Sequence, residues 1–192
     1  YLGALPSKPG TETWKNDRPE LPEGVIDATV NKGIDPRSTV EIVYSGEFTP
    51  TVKNRIALQM MNGVLDILVR EDLREKRGGI YGAGIQSSVE ALPTGQYQVQ
   101  ISFTAEPTRV NELVGAVFEQ VQDLRDNGPS AQNFEKVQAQ LSRTQEENLQ
   151  RNEAWITWMT RYLTGNEGPL DTILTINDVI AGATLLSSDV PH

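Results

Sequence analysis

Two side chains stand out for the chemistry that their types and spacing allow: Arg74 and Tyr81, seven residues apart across Gly78-Gly79. A guanidinium is always charged and presents its donors in a fixed fork, which suits it to holding a carbonyl or a carboxylate. A phenol donates to a carbonyl oxygen, or to the oxyanion that develops when that carbonyl is attacked. No cysteine or histidine lies nearby to act as nucleophile or metal ligand. Such a pair grips carbonyl groups and does not break bonds unaided. A plainer reading makes Arg74 a cation stabilised by the C-terminal end of a helix dipole and Tyr81 an ordinary strand aromatic. Gly78, Gly79, Gly82 and Gly84 weigh against it, because glycines at alternate strand positions thin one face and let another backbone approach.

The remaining candidates are weaker. The single histidine is His192, the last residue, and there is no cysteine. A zinc hydrolase site normally takes two or three His, or Cys in their place, and a Ser or Cys nucleophile normally takes a His base. The chain is therefore not expected to carry a hydrolytic site of its own, although composition alone leaves a carboxylate-only metal site open. Asp66, Glu71, Asp72 and Glu75 fall at scattered helical angles among Arg70, Arg74 and Lys76, which describes a solvated, paired helix end. Trp155, Trp158, Met159 and Tyr162 form a helical aromatic stripe, expected to be core rather than a binding platform. Gly82-Ala83-Gly84 lies inside a strand rather than ahead of a helix, so it is no phosphate loop.

Bulk properties narrow the class. At 192 residues, with 38% hydrophobic and 22% charged residues, the chain can form one domain with a sizeable core, or two small ones. A net charge of -9 argues against nucleic acid, whose phosphates require clustered Lys and Arg, and against an anionic membrane surface. No apolar run approaches the roughly 18 residues of a membrane span. The lack of cysteine excludes disulfides and leaves the compartment open; a periplasmic or secreted location is weighed ahead of a cytoplasmic one. Because the chain opens at Tyr1, it is expected to be a segment of something longer.

These side chains must be positioned by the surrounding elements. Residues 1–23 hold Pro6, Pro9, Pro19 and Pro22 without periodicity, the pattern of an extended linker. Val25 to Lys32 alternates, with Ile26, Ala28 and Val30 on one face, and is predicted to be a strand. Thr39 to Phe48 alternates likewise through Val40, Ile42 and Tyr44, after a turn at Asp35-Pro36. From Thr51 to Glu75 the period becomes helical, with Gly78-Gly79 as the stop; this helix of about 25 residues would be roughly 37 Å long. Strands follow at Ile80 to Ala91 and Gly95 to Ala105, the second with Tyr97, Val99, Ile101 and Phe103 inward and Gln96, Gln98, Gln100 and Ser102 outward. Pro107 opens a helix with a stripe of Val110, Leu113, Val114, Val117, Phe118, Val121 and Leu124. Asn127-Gly128-Pro129 ends it, and Ser130 caps a long helix to about Thr164, polar through Ser142 to Glu153. A short helix spans about Leu170 to Ala181, and Ser187-Ser188-Asp189 looks like another cap. The fold class is α+β, an antiparallel sheet with helices packed on one face.

Taken together, these features resemble a late domain of the pitrilysin/insulinase-type zinc peptidases, the inverzincins. The resemblance rests on the opening Tyr1-Leu2-Gly3-Ala4-Leu5-Pro6-Ser7, Gly24-Val25, Lys32-Gly33, Ser38-Thr39-Val40, Leu73-Arg74-Glu75 and Gly78-Gly79-Ile80-Tyr81-Gly82. It implies the half-domain fold shared with the mitochondrial processing peptidases, with residues 1–23 as the tail of a preceding domain and 24–192 as a C-terminal domain cut short at its end. It also implies two such halves around a chamber. Zinc would sit in the N-terminal half, on an H-x-x-E-H helix in the same or a partner chain. The last domain would supply no metal ligand, only an Arg and a Tyr that hold a peptide substrate, the roles this match gives to Arg74 and Tyr81. The shorter bacterial branch fits better than the large insulin-degrading enzymes. On that basis the segment is expected to be inactive alone and to complete a zinc metalloendopeptidase in its parent. The alternative is a peptide-binding or subunit-scaffold domain of an inactive relative.

Overall fold

The computed structural model describes residues 24–164 and 174–183. The readings on the first 23 residues, on the start of the last short helix and on Ser187-Ser188-Asp189 lie outside them. The elements run β1 (Ser38–Glu47), α1 (Val52–Arg70) with a π-helical turn (Glu71–Lys76), β2 (Ile80–Glu90), β3 (Gln96–Ala105), a 3-10 turn (Pro107–Arg109), α2 (Val110–Asn127), α3 (Ala131–Leu149), α4 (Asn152–Leu163) and α5 (Ile176–Ala181).

The sheet is antiparallel in the order β1-β3-β2. Its register lines up Val40, Phe103 and Ala83, then Ile42, Ile101 and Ile85, in rows across the three strands. Side chains alternate across a pleat, so these rows form one apolar face, and Val99, Ile101, Phe103 and Ala105 of the central strand are buried. The other face carries Gln98, Gln100, Ser102 and Thr104.

Helix α1 lays Met60, Met61, Val64, Leu65, Val69 and then Leu73 into the core. Each such burial is worth about 1.5–3 kcal/mol. Thr51 caps α1, its hydroxyl accepting from the Asn54 amide at 3.1 Å, and Ser130 caps α3 the same way through Asn133 at 3.2 Å. Helix α2 adds Leu113, Ala116, Val117, Val121 and Leu124. This is α+β architecture with the helices packed against a three-stranded sheet. Among the described residues, no helix is long and apolar enough to cross a membrane.

Four expectations are corrected. Val25 to Lys32 joins no ladder among the described residues, and Val25, Ile26 and Val30 are exposed at 97%, 69% and 87%. Alternation prescribes an extended backbone with an apolar side, whereas a strand also needs a bonded neighbour. The segment instead runs beside β1 across a groove. The long helix after Ser130 is two helices: the chain turns at Gln150-Arg151, and the Trp155 indole donates to the Leu149 carbonyl at 2.9 Å. That turn splits the aromatic stripe of α4. Trp155 and Trp158 pack edge to face, centroids 5.4 Å apart, against the core, while Met159, Tyr162 and Leu163 are exposed. On α2, Phe118 is exposed at 47% and Ala116 takes a buried place.

Candidate functional site

The junction between α1 and β2 departs from regular structure twice. Its helical end widens into a π-helical turn: the Arg77 amide donates to the Asp72 carbonyl at 3.1 Å, five residues back. Gly78 then takes a left-handed φ of 58°, which costs a glycine nothing, and the Gly79 amide closes on the Leu73 carbonyl at 3.1 Å. Gly79 is closely covered by side chains of the 3-10 turn and α2. A Cβ there would lie 2.7 Å from Arg109 Nη1 and 3.0 Å from Leu113 Cδ2.

The second departure is in the strand. Ile80 pairs with Ala105 and Gly82 with Thr104, so Tyr81 is an extra residue in the ladder, a β-bulge. A bulge breaks the alternation and re-aims a side chain. Here it allows Ile80 and Ala83, three residues apart, both to pack against the core. Tyr81 and Gly82 between them are exposed, and Tyr81 is 65% exposed. A Cβ on Gly82 would meet nothing within 4 Å, and one on Gly84 would meet only Ser102 Oγ at 3.9 Å, so the surface beside Tyr81 is open.

Arg74 lies within the π-helical turn, exposed, and makes no ion pair with any described residue. Tyr81 follows the glycine turn, and its hydroxyl has no hydrogen-bond partner among the described residues. The Arg37 guanidinium carbon lies 4.9 Å from its ring centroid. The other strand tyrosines differ. Burial pushes the Tyr44 phenol up, with Tyr97 adding to the effect, and burial also raises Tyr97; both pack against the core.

Beside this open pair sits a closed network that reasoning from sequence missed. Asp72, taken as part of a solvated helix end, is buried at 5% exposure. It is paired, as expected, but by Arg77 Nε at 2.9 Å and more distantly by Lys76 Nζ at 3.8 Å. Arg77 also meets Glu119 at 3.2 Å, and Arg109 binds Glu112 at 3.0 Å while both its terminal nitrogens donate to the Arg77 carbonyl at 3.3 Å. The hydrogen bond to Asp72 raises the Arg77 pKa, and the one from Arg109 holds the Glu112 carboxyl below its usual range. The glycine turn is thus clamped from α2. The one signal in the sequence was the acid–base spacing Asp72/Arg77, which helical periodicity ignores.

Among the described residues no group of three or more His, Cys, Asp or Glu could hold a metal ion. Of the carboxylates weighed from the sequence, Asp72 is engaged by Arg77 and Lys76 and Asp66 is paired with Arg70 at 2.9 Å.

The described residues define an α+β domain that leaves Arg74 and Tyr81 exposed beside a glycine turn, and comparison gives the family. Residues 1–141 match the model of the peptidase M16 inactive domain. The chain belongs to that family, within the pitrilysin type. No curated protein is similar enough to be matched with it. Among solved structures it is similar to the periplasmic protease PqqL from Escherichia coli, with TM-score 0.69 and 18% identity over 81% of this chain and 18% of that one. A protease from Helicobacter pylori gives TM-score 0.64 and 14% identity, over 81% of this chain and 37% of that one. A peptidase M16 inactive domain from Pseudomonas fluorescens gives 0.61 and 15%, also over 81% and 37%. At these identities the likeness is one of fold. The chain spans well under half the length of each of these three.

Proposed function

We propose that this domain is the substrate-holding half of a zinc metalloendopeptidase that acts on peptides or unfolded segments. In this reading Arg74 holds the substrate backbone through its carbonyl oxygens. The Tyr81 hydroxyl donates to the scissile carbonyl and more strongly to the oxyanion that forms from it. Zinc belongs to the N-terminal half, in the same or a partner chain, and this domain contributes donors only. The observation that carries the reading is the contrast at one turn: Asp72, Arg77, Arg109, Glu112 and Glu119 satisfy one another, while Arg74 and Tyr81 are exposed and bond their donors to no described residue. Donors that the fold itself does not use, set beside a clamped turn, are available to something that arrives from outside.

The test is cleavage of a quenched, unstructured peptide by the full-length protein, with and without a zinc chelator, alongside Tyr81→Phe. Cleavage that is lost to the chelator and falls about a hundredfold in the variant supports the reading. Chelator-sensitive cleavage that ignores Tyr81→Phe removes Tyr81 from the chemistry. Binding of the peptide without any cleavage replaces the enzyme with a scaffold domain.

A further inference from the structure

We infer that Arg37 is a positioning residue for Tyr81; the inference rests on the role of Tyr81 proposed above. An exposed phenol on a sheet edge is a poor preorganised donor, because nothing restricts its rotamer and each turnover would have to order it. Tyr81 is such a residue: it stands at a bulge on β2, an edge strand, and its neighbour Gly82 offers no side chain to pack against. The structure supplies the missing restraint from the opposite edge. Ser38 of β1 and Ile80 of β2 are both level with Ala105 of β3, so Arg37 and Tyr81 arise at the same end of the sheet, separated by the central strand. Two strand spacings are about 10 Å, a gap that the long arginine side chain and the phenol together close.

Two details show that this contact is built in. The Gly82–Thr104–Thr39 row between them carries only small side chains, which leaves the crossing clear. Arg37 itself follows Pro36, and its amide donates to the Asp35 carbonyl at 2.8 Å, so its backbone is held at the mouth of β1. With its guanidinium carbon 4.9 Å from the ring centroid, inside the roughly 6 Å range of cation–π attraction, Arg37 covers one face of the phenol. It makes no ion pair with any described residue, so no described carboxylate competes for the cation. The hydroxyl stays free to donate while the ring is held.

The experiment uses the full-length protein with Arg37→Met, Arg37→Lys, Tyr81→Phe and the Arg37→Met/Tyr81→Phe double variant, measuring kcat and KM on the quenched peptide. Arg37→Met should lower kcat about two- to fivefold, the worth of an exposed cation–π contact, with KM unchanged, and Arg37→Lys should recover part of the loss. In the Tyr81→Phe background Arg37→Met should change nothing further. In parallel, ring-labelled tyrosine NMR should show the Tyr81 signals shift and its ring motion increase on Arg37→Met. Equal losses in both backgrounds would overturn the inference, since Arg37 would then act on substrate by itself. So would an unchanged kcat where Tyr81→Phe is crippling. If Tyr81→Phe leaves turnover intact, the functional reading fails and the inference falls with it, even where NMR still reports the stack.

Discussion

Around the Gly78-Gly79 turn two sets of polar side chains are used in opposite ways. On the clamped side, Asp72, Arg77, Arg109, Glu112 and Glu119 close on one another, and Asp72 is buried at 5% exposure. On the open side, Arg74 pairs with no described residue and Tyr81 is 65% exposed. Arg74 and Arg77 are three residues apart on one helical end, yet one is spent on the fold and the other is not. Charges on a protein surface usually contribute little to stability. Buried ones must be matched, because an unpaired charge in a poor dielectric is costly. The clamp is therefore a structural device, and in the proposed reading the open pair is the part that meets a ligand.

The comparison breaks most visibly at Tyr81. Removing its hydroxyl should cut turnover of the full-length protein about a hundredfold and leave the thermal midpoint unchanged; a shifted midpoint would move Tyr81 to the structural side. Arg77→Met should do the reverse. It strands the buried Asp72 carboxylate with only Lys76 at 3.8 Å and should lower the denaturant midpoint measurably, by less than the loss of a fully buried pair because Arg77 is itself 31% exposed. Arg74→Ala should lower kcat/KM about tenfold, the value of a charge-assisted hydrogen bond, with stability changed by less than about 0.5 kcal/mol. Equal behaviour of the Arg74 and Arg77 variants in both assays would erase the distinction.

The smallest effect concerns acid. Glu112 is held below its ordinary pKa of 4.5, first by the hydrogen bond from Arg109. It binds fewer protons folded than unfolded, so the stability it lends is complete above the ordinary value and is lost as pH falls through the lowered one. The difference in unfolding midpoint between wild type and Glu112→Gln should be present at neutral pH and shrink below about pH 4.

Much of the frame was legible because it depends on local pattern. Alternation placed Val40, Ile42 and Tyr44, and Val99, Ile101 and Phe103, on the core side of their strands. Helical period and Thr51 located α1, which with its π-helical turn runs Val52 to Lys76, close to the predicted length. The misses share a cause. A strand at Val25 to Lys32 needed a partner, and periodicity is blind to partners. The break at Gln150-Arg151 is secured by the Trp155 indole returning to Leu149. The burial of Asp72 depends on Arg77 and the neighbouring face of α2.

For the candidate site, the sequence by itself determined which groups are present, in what order, and that a glycine turn separates Arg74 from Tyr81. Composition also withheld the His and Cys that a zinc site normally takes. Only the tertiary structure decided the rest. The π-helical turn and the bulge expose both side chains, the clamp from α2 fixes the turn between them, and Arg37 crosses the central strand to cover the Tyr81 ring. Residue types and short spacings are properties of the chain. Which charges are matched and which are left open depends on residues 32 to 44 positions apart, brought together by the packing of α2 and by the pairing of β1 and β2 with β3.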